Sequence, residues 1–151
     1  MDKVYISFAS ADGDTWSVRG NERAVTEIKP GKTDISFEEN VITRIAALQL
    51  KEYLDGNRRS FDFPVECSGT AFQKEVWAAL MQIPYGTTAS YGEVAELIGR
   101  PKAVRAVGQA IGKNPCLIAV PCHRVIGKNG GLTGFSAGLE LKQYLLGLEQ
   151  K

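Results

Sequence analysis

The chain has one histidine, three cysteines and two methionines among its 151 residues. Cys67, Cys116 and Cys122 are an odd set without framework spacing. This argues against a disulfide-stapled extracellular scaffold and for a reducing, cytoplasmic compartment. No C-x-x-C pair occurs, and neighbouring Cys122 and His123 would make a poor chelate, so no metal is expected. There is no P-loop and no dinucleotide fingerprint. The apolar run Leu117–Pro121 is far shorter than the roughly 20 residues of a membrane-spanning helix. No apolar stretch follows Asp2 and Lys3, so neither a membrane segment nor a signal peptide is expected. Low complexity is also missing. With 44% hydrophobic and 23% charged residues the composition is globular, and the length suits one ordinary domain or two small ones sharing a core.

The formal net charge of +1 conceals an asymmetry. Residues 1–84 hold ten Lys or Arg against thirteen Asp or Glu, whereas residues 85–151 hold eight against four. From Gly99 to Lys128 there is no acid, and the stretch carries Arg100, Lys102, Arg105, Lys113, Arg124 and Lys128. A basic stripe of this kind suits a polyanion, although charge by itself favours the plainer alternative of a solvated face.

The pattern predicts an α/β protein of two parts. Val4, Ile6 and Phe8 alternate with Tyr5 and Ser7, and Asp12-Gly13 marks a turn into Thr15–Val18. Gly20-Asn21 marks a second turn before Ala24–Ile28, which ends at Pro30-Gly31, so a three-stranded antiparallel meander is expected. Ser36 and Glu39 have capping-box spacing, and Val41, Ile42, Ile45 and Leu48 follow at helical intervals to about Leu54. Asp55-Gly56 stops this helix. A linker over residues 57–68 places the domain boundary at 63/64, giving a sheet-and-helix domain 1–63 and a helical domain 64–151.

The second part reads as short helices. Thr70 with Gln73, and Ser90 with Glu93, are capping boxes. Phe72, Val76, Leu80 and Ile83 share one face with Trp77 beside them, and Pro84–Gly86 ends that helix. Val94, Leu97 and Ile98 form the apolar side of the next, stopped by Gly99. Pro101 suits the first turn of a further helix over Ala103–Lys113, whose stripe is Val104, Val107 and Ile111 and whose end is Asn114-Pro115. Two short helices joined through Gly99-Arg100 have helix-turn-helix spacing. The second carries Ala103, Ala106, Gly108, Ala110 and Gly112, small residues that admit either a close DNA surface or a tightly packed neighbour helix.

Leu117–Val120 reads as a buried strand or extended segment leading into Pro121-Cys122-His123-Arg124-Val125. A buried cysteine is commonly inert and a lone histidine commonly structural, but the two together beside Arg124 point to thiolate chemistry. In an extended chain adjacent side chains point to opposite faces, so Cys122 and His123 would need a turn or a bridging water to communicate. A thiol protease is conceivable from Cys and His alone, but no local signature supports it.

The Pro121–Val125 pentapeptide resembles the active-site motif of the O6-alkylguanine-DNA alkyltransferases. Further matches in order and spacing are residues 70–86, Ser90–Ala95, Arg105–Gly108, Asn114-Pro115, Gly134–Ser136 and Leu139–Glu149. The resemblance covers about residues 65–150 of the numbered chain, while the first sixty share only a pattern of meander and helix. It implies a protein that binds double-stranded DNA through its helix-turn-helix, flips an alkylated guanine out of the stack, and takes the alkyl group onto its own cysteine once. O4-alkylthymine is a possible second lesion.

Residue by residue, the resemblance makes Cys122 the nucleophile, His123 a water-mediated base and Glu149 its orienter. Tyr91 would assist the leaving guanine, and Asn114 would brace the cysteine turn. The Ser136 amide and Val125 carbonyl would hold the base, with Phe135 as a pocket wall. Arg105 would fill the vacated stack. Arg100, Lys102, Ala106 and Gly108 would face DNA, and Arg124 would pair within the core. Phe135 stands where many members have tyrosine, and Ala137 replaces a frequent glycine. The first part lacks the Cys/His set that binds structural zinc in some relatives, so the expectation is no metal, no cofactor and a monomer. Two rivals are a non-catalytic alkyltransferase-like damage-recognition protein, disfavoured by the presence of Cys122, and a helix-turn-helix transcription factor, which has no need of a cysteine-histidine pair.

Overall fold

The computed structural model describes residues 3–32, 37–127, 135 and 137–151. Ser36, Lys128, Gly134 and Ser136, named above, lie outside the described residues. Contacts divide the chain into two compact units, Met1–Ser68 and Gly69–Lys151.

In the first unit β1 (Tyr5–Ala11), β2 (Asp14–Gly20) and β3 (Val25–Pro30) form the expected antiparallel meander in the order β1-β2-β3. The turn between β2 and β3 is built by Asn21, whose Oδ1 accepts the Arg23 and Ala24 amides at 2.8 and 2.9 Å. Gly20 is required there, because a β-carbon would lie 2.7 Å from the Ala24 carbonyl oxygen. Val25 N–H donates to the Pro64 carbonyl and Glu66 N–H to the Val25 carbonyl, at 2.9 and 2.8 Å. This short ladder holds residues 64–66 to β3, so the units part at Ser68 rather than at 63/64.

Helix α1 (Val41–Leu54) differs from expectation at its start and in its buried face. Its N-cap is Asn40, not Ser36: Asn40 accepts from the Thr43 amide while Thr43 Oγ1 accepts from the Asn40 amide. Asn40 Nδ2 also donates to the Asn21 carbonyl at 2.9 Å. Glu39 instead lies 2.7 Å from Ser7 Oγ, which is also 2.9 Å from Thr43 Oγ1. Tertiary partners thus moved the start, since Asn is as good an N-cap as Ser. The stripe Val41, Ile45 and Leu48 is exposed, and the helix buries Thr43, Ala46, Ala47, Leu50, Tyr53 and Leu54. On β1 the helix side carries Ser7 and Ala9, and Phe8 is exposed. Small Ala46 and Ala47 let the helix approach the sheet closely, and Ser7 is tolerated there because its hydroxyl is bonded.

In the second unit α2 (Ala71–Leu80) and α3 (Tyr91–Leu97) start at Thr70 and Ser90 with both reciprocal capping bonds, as expected. Helix α4 (Val104–Gly112) packs on both. Val76, Leu80, Val94, Val107, Ala110 and Ile111 are buried, and Trp77 Nε1 donates to the Ala110 carbonyl at 2.9 Å. Pro101 precedes α4 instead of opening it. The Ala103 amide bonds the Arg100 carbonyl at 2.9 Å in a turn that uses these residues before the helix begins. A two-residue parallel ladder joins β4 (Ala89–Ser90) to β5 (Val125–Ile126), and α5 (Leu139–Glu149) closes the unit. Among the described residues no helix is long and apolar enough to cross a membrane.

Asn40→Ala removes both the cap and the link to Asn21. It should lower unfolding stability by about 1–2 kcal/mol, read as a lower urea midpoint at unchanged slope. An unchanged midpoint would show that the helix start does not depend on Asn40.

Candidate active site

The segment before the cysteine is a folded buried loop, not the extended strand read from its apolar run. Asn114, just past α4, donates from Nδ2 to the Val120 carbonyl and accepts the Cys116 amide at Oδ1, both at 2.9 Å. The Val120 amide returns to the Cys116 carbonyl at 3.0 Å. Ile118 takes a positive φ of 72°, a costly conformation for a β-branched residue. Asn114 and the surrounding burial hold the chain in that shape, so one side chain satisfies backbone groups that a strand would have paired with a neighbour.

The loop delivers Cys122–Arg124 as one 3-10 turn, all three residues buried. The opposite-face geometry of an extended chain therefore does not apply to Cys122 and His123. His123 Nε2 lies 2.7 Å from Glu149 Oε2, at the end of α5. Arg124 grips the same carboxylate twice, Nε to Oε1 at 2.9 Å and a terminal nitrogen to Oε2 at 3.0 Å. Its other terminal nitrogen donates to the Ile83 carbonyl at 2.7 Å, and the guanidinium lies over the Tyr85 ring. The Gly86 amide adds a bond of 3.2 Å to Glu149 Oε1. Gly86 has a φ of +79°, and a β-carbon there would come within 3.2 Å of the Glu149 carbonyl oxygen.

Burial pushes the Cys122 thiol pKa up, opposed by a hydrogen bond from Asn114 and the charge of Lys142. Burial pushes His123 below its ordinary value, opposed by Glu149 and reinforced by Arg124 and Lys142. Both shifts favour a thiol beside a neutral imidazole at rest.

A model of the 6-O-methylguanine DNA methyltransferase DNA-binding domain matches residues 71–151, the stretch that contains all of this geometry. The chain belongs to that family. The inducible methylated-DNA–protein-cysteine methyltransferase of Bacillus subtilis is 58% identical over 105 residues, 70% of this chain and 59% of that protein. The chain therefore spans under two thirds of that relative's length. The Methanosarcina barkeri methyltransferase is 46% identical over 138 residues, 87% of each. Among solved structures, Mycobacterium tuberculosis O6-methylguanine methyltransferase superposes with a TM-score of 0.86 at 38% identity, covering 97% of this chain and 93% of that one. The same organism's OGT in complex with DNA gives 0.85 at 40% identity, covering 98% and 92%.

Set against this family, the expected residues divide into groups. Cys122, His123, Glu149, Asn114 and Val125 meet in one buried cluster. Tyr91 opens α3, and its ring lies 3.7 Å from where a Gly108 β-carbon would stand, so Gly108 faces Tyr91 on the helix-turn-helix. Pairing of Ser90 with Ile126 ties the strand before Tyr91 to the strand after the cysteine turn. Phe135 is buried. Lys102, Arg105 and Ala106 are exposed at and near the start of α4. Arg100 is paired with Glu75 at 3.5 Å and lies over the Phe72 ring, which docks it on α2. No group of three or more His, Cys, Asp or Glu suited to a metal gathers among the described residues.

The residue that the sequence reading missed is Lys142. It is 1% exposed, donates to the Val125 carbonyl at 2.6 Å, and interacts electrostatically with Cys122. Burial lowers its pKa. Its signal was available: Lys142 shares the buried stripe of α5 with Leu145 and Glu149, where a lysine needs a polar reason.

Two outcomes follow from the charges. Lys142→Met removes a cation that favours the thiolate, so the pH midpoint of Cys122 alkylation by iodoacetamide, followed on its peptide by mass spectrometry, should rise. An unchanged midpoint would remove Lys142 from the site's electrostatics. Separately, because folding lowers the His123 pKa, the unfolded chain binds a proton that the folded chain does not once the pH falls below about 6.5. The histidine contribution should make stability fall by up to about 1.4 kcal/mol per pH unit below that point, down to the folded pKa. A His123→Gln variant should lack this component, as shown by comparing urea unfolding at about pH 7.5 and 5.5. Equal pH slopes in the two proteins would overturn the sign.

Proposed function

We propose that the chain repairs DNA by direct reversal, moving the alkyl group of an O6-alkylguanine in double-stranded DNA onto Cys122 in a single turnover. The observation that carries this reading is a thiol buried in the same turn as a histidine-glutamate pair, in a unit that also presents a basic helix-turn-helix. Methyltransferase names among close relatives and a DNA complex of a similar structure support it.

In this reading Lys102 and Arg105 neutralise phosphates near the start of α4, and Arg105 fills the gap left by the flipped base. The base is held by the Val125 carbonyl and the Ser136 amide against Phe135. His123 takes the thiol proton through a water, and Glu149 holds the imidazole. The Cys122 thiolate attacks the alkyl carbon, a sulfur–carbon bond forms as the carbon–O6 bond breaks, and its electron pair leaves on guanine. The Tyr91 phenol supplies a proton or hydrogen bond to that leaving group, and Asn114 keeps the cysteine turn in place. The thioether has no route back to a thiol, which limits each molecule to one event. No cofactor enters the balance. The protein acts as a monomer in the cytoplasm, a compartment that suits three cysteines none of which forms a disulfide.

Incubation with excess O6-methylguanine oligonucleotide should add one methyl group per chain, located on the Cys122 peptide, and then stop. Cys122→Ala should gain none while still binding duplex DNA, because phosphate contacts lie on other residues. Turnover beyond one equivalent, or transfer in the variant, would overturn the reading. Arg105→Ala should slow repair in duplex more than reaction with a free O6-alkylguanine base; equal slowing would remove its role in flipping.

A further inference from the structure

We propose that Arg124 is a positioning residue of the proton relay: by clasping both oxygens of Glu149 it keeps that carboxylate ionised and holds His123 neutral, protonated at Nε2 only. The inference rests on the proposed role of His123 as the base, and assigns to Arg124 more than a place in the core.

The geometry is specific. Glu149 accepts from His123 Nε2, from two nitrogens of Arg124 and from the Gly86 amide, with a side chain only 1% exposed. A carboxylate buried to this degree beside an imidazole alone would favour an added proton on the pair, because desolvation disfavours an isolated anion. That proton has two places to sit, and both disable the base. On the ring it makes an imidazolium that cannot accept a second proton. On Glu149 it turns the carboxyl into a donor to Nε2, which moves the ring's own proton to Nδ1. The guanidinium excludes both states by supplying a permanent positive charge at bonding distance from each oxygen. Its orientation is fixed from the far side by the Ile83 carbonyl and by the Tyr85 ring.

The other groups facing His123 act in the same sense or are neutral at rest. Lys142 on α5 adds a second positive charge, and Cys122 in the same turn is held as a thiol by burial. The Gly86 amide contributes a donor without charge.

His123 is the only histidine of the chain, so its imidazole gives one set of side-chain resonances. In the unmodified protein, NMR of the labelled ring should report the neutral Nε2–H tautomer from about pH 7.5 down to about 5.5, below the ordinary midpoint of about 6.5. In Arg124→Gln the protonation midpoint should rise by a unit or more. The acid limb of the methyl-transfer rate should move with it, with transfer about tenfold slower one pH unit below the variant's midpoint and recovering at higher pH. Arg124→Lys, which keeps the charge but cannot span both oxygens and the Ile83 carbonyl, should shift the midpoint less than half as far. An ordinary titration of His123 in the unmodified protein would overturn the proposal without any variant. A folded Arg124→Gln with an unmoved histidine midpoint, altered only in melting temperature, would overturn it as well. Should Arg124→Gln fail to fold, the unmodified protein and Arg124→Lys decide the matter. Because the titration needs no substrate, failure of methyl transfer and failure of this assignment are read separately.

Discussion

The Glu149 carboxylate is the constraint on which the second unit's chemistry depends. One buried side chain, at the end of the last helix, meets the histidine and the arginine of the 3-10 turn and an amide of the segment that follows α2. A buried charge of this kind stabilises little by itself, since desolvation offsets most of the attraction, but breaking it leaves an uncompensated ion at a cost of about 3–5 kcal/mol. The arrangement therefore acts chiefly as a specification. Few placements of α5 satisfy four donors on two oxygens, and the one that does also sets the imidazole's orientation.

Burial then decides the protonation states. The same exclusion of water that favours the thiol form of Cys122 favours the neutral form of His123, so the two side chains rest in matched neutral forms. Asn114 and Lys142 limit the cost of forming the thiolate, one by a hydrogen bond and the other by charge. A thiol left wholly to apolar surroundings would be inert, because only the thiolate is nucleophilic.

Two features link this centre to the helix-turn-helix. The parallel ladder of Ala89–Ser90 with Val125–Ile126 joins the residues before Tyr91 to those after the cysteine turn. On the other side, α3, which Tyr91 opens, packs on α4, with the Tyr91 ring near Gly108.

Much of this was legible locally. The meander, the Thr70 and Ser90 caps, the helix-turn-helix spacing and the Pro121–Val125 motif are short-range patterns, because turns, caps and periodicity depend on neighbours within about four residues. They carried the fold class and the identity of the cysteine and histidine. What they could not carry was any choice between equivalent options. Helix α1 has apolar residues on two sides, and only the sheet selected Ala46, Ala47 and Leu50 over Val41, Ile45 and Leu48. Asn40 displaced Ser36 as the cap because Asn21 was within reach. The run Leu117–Val120 had strand composition, but Asn114 bonded its backbone into a loop. Lys142 stands apart from the other lysines only once Val125 and Cys122 are beside it. The sequence by itself thus determined which groups were available for chemistry, since that follows from residue type. Tertiary structure alone decided which of them lost water and met a partner, because desolvation and long-range hydrogen bonds exist only once distant segments are packed together.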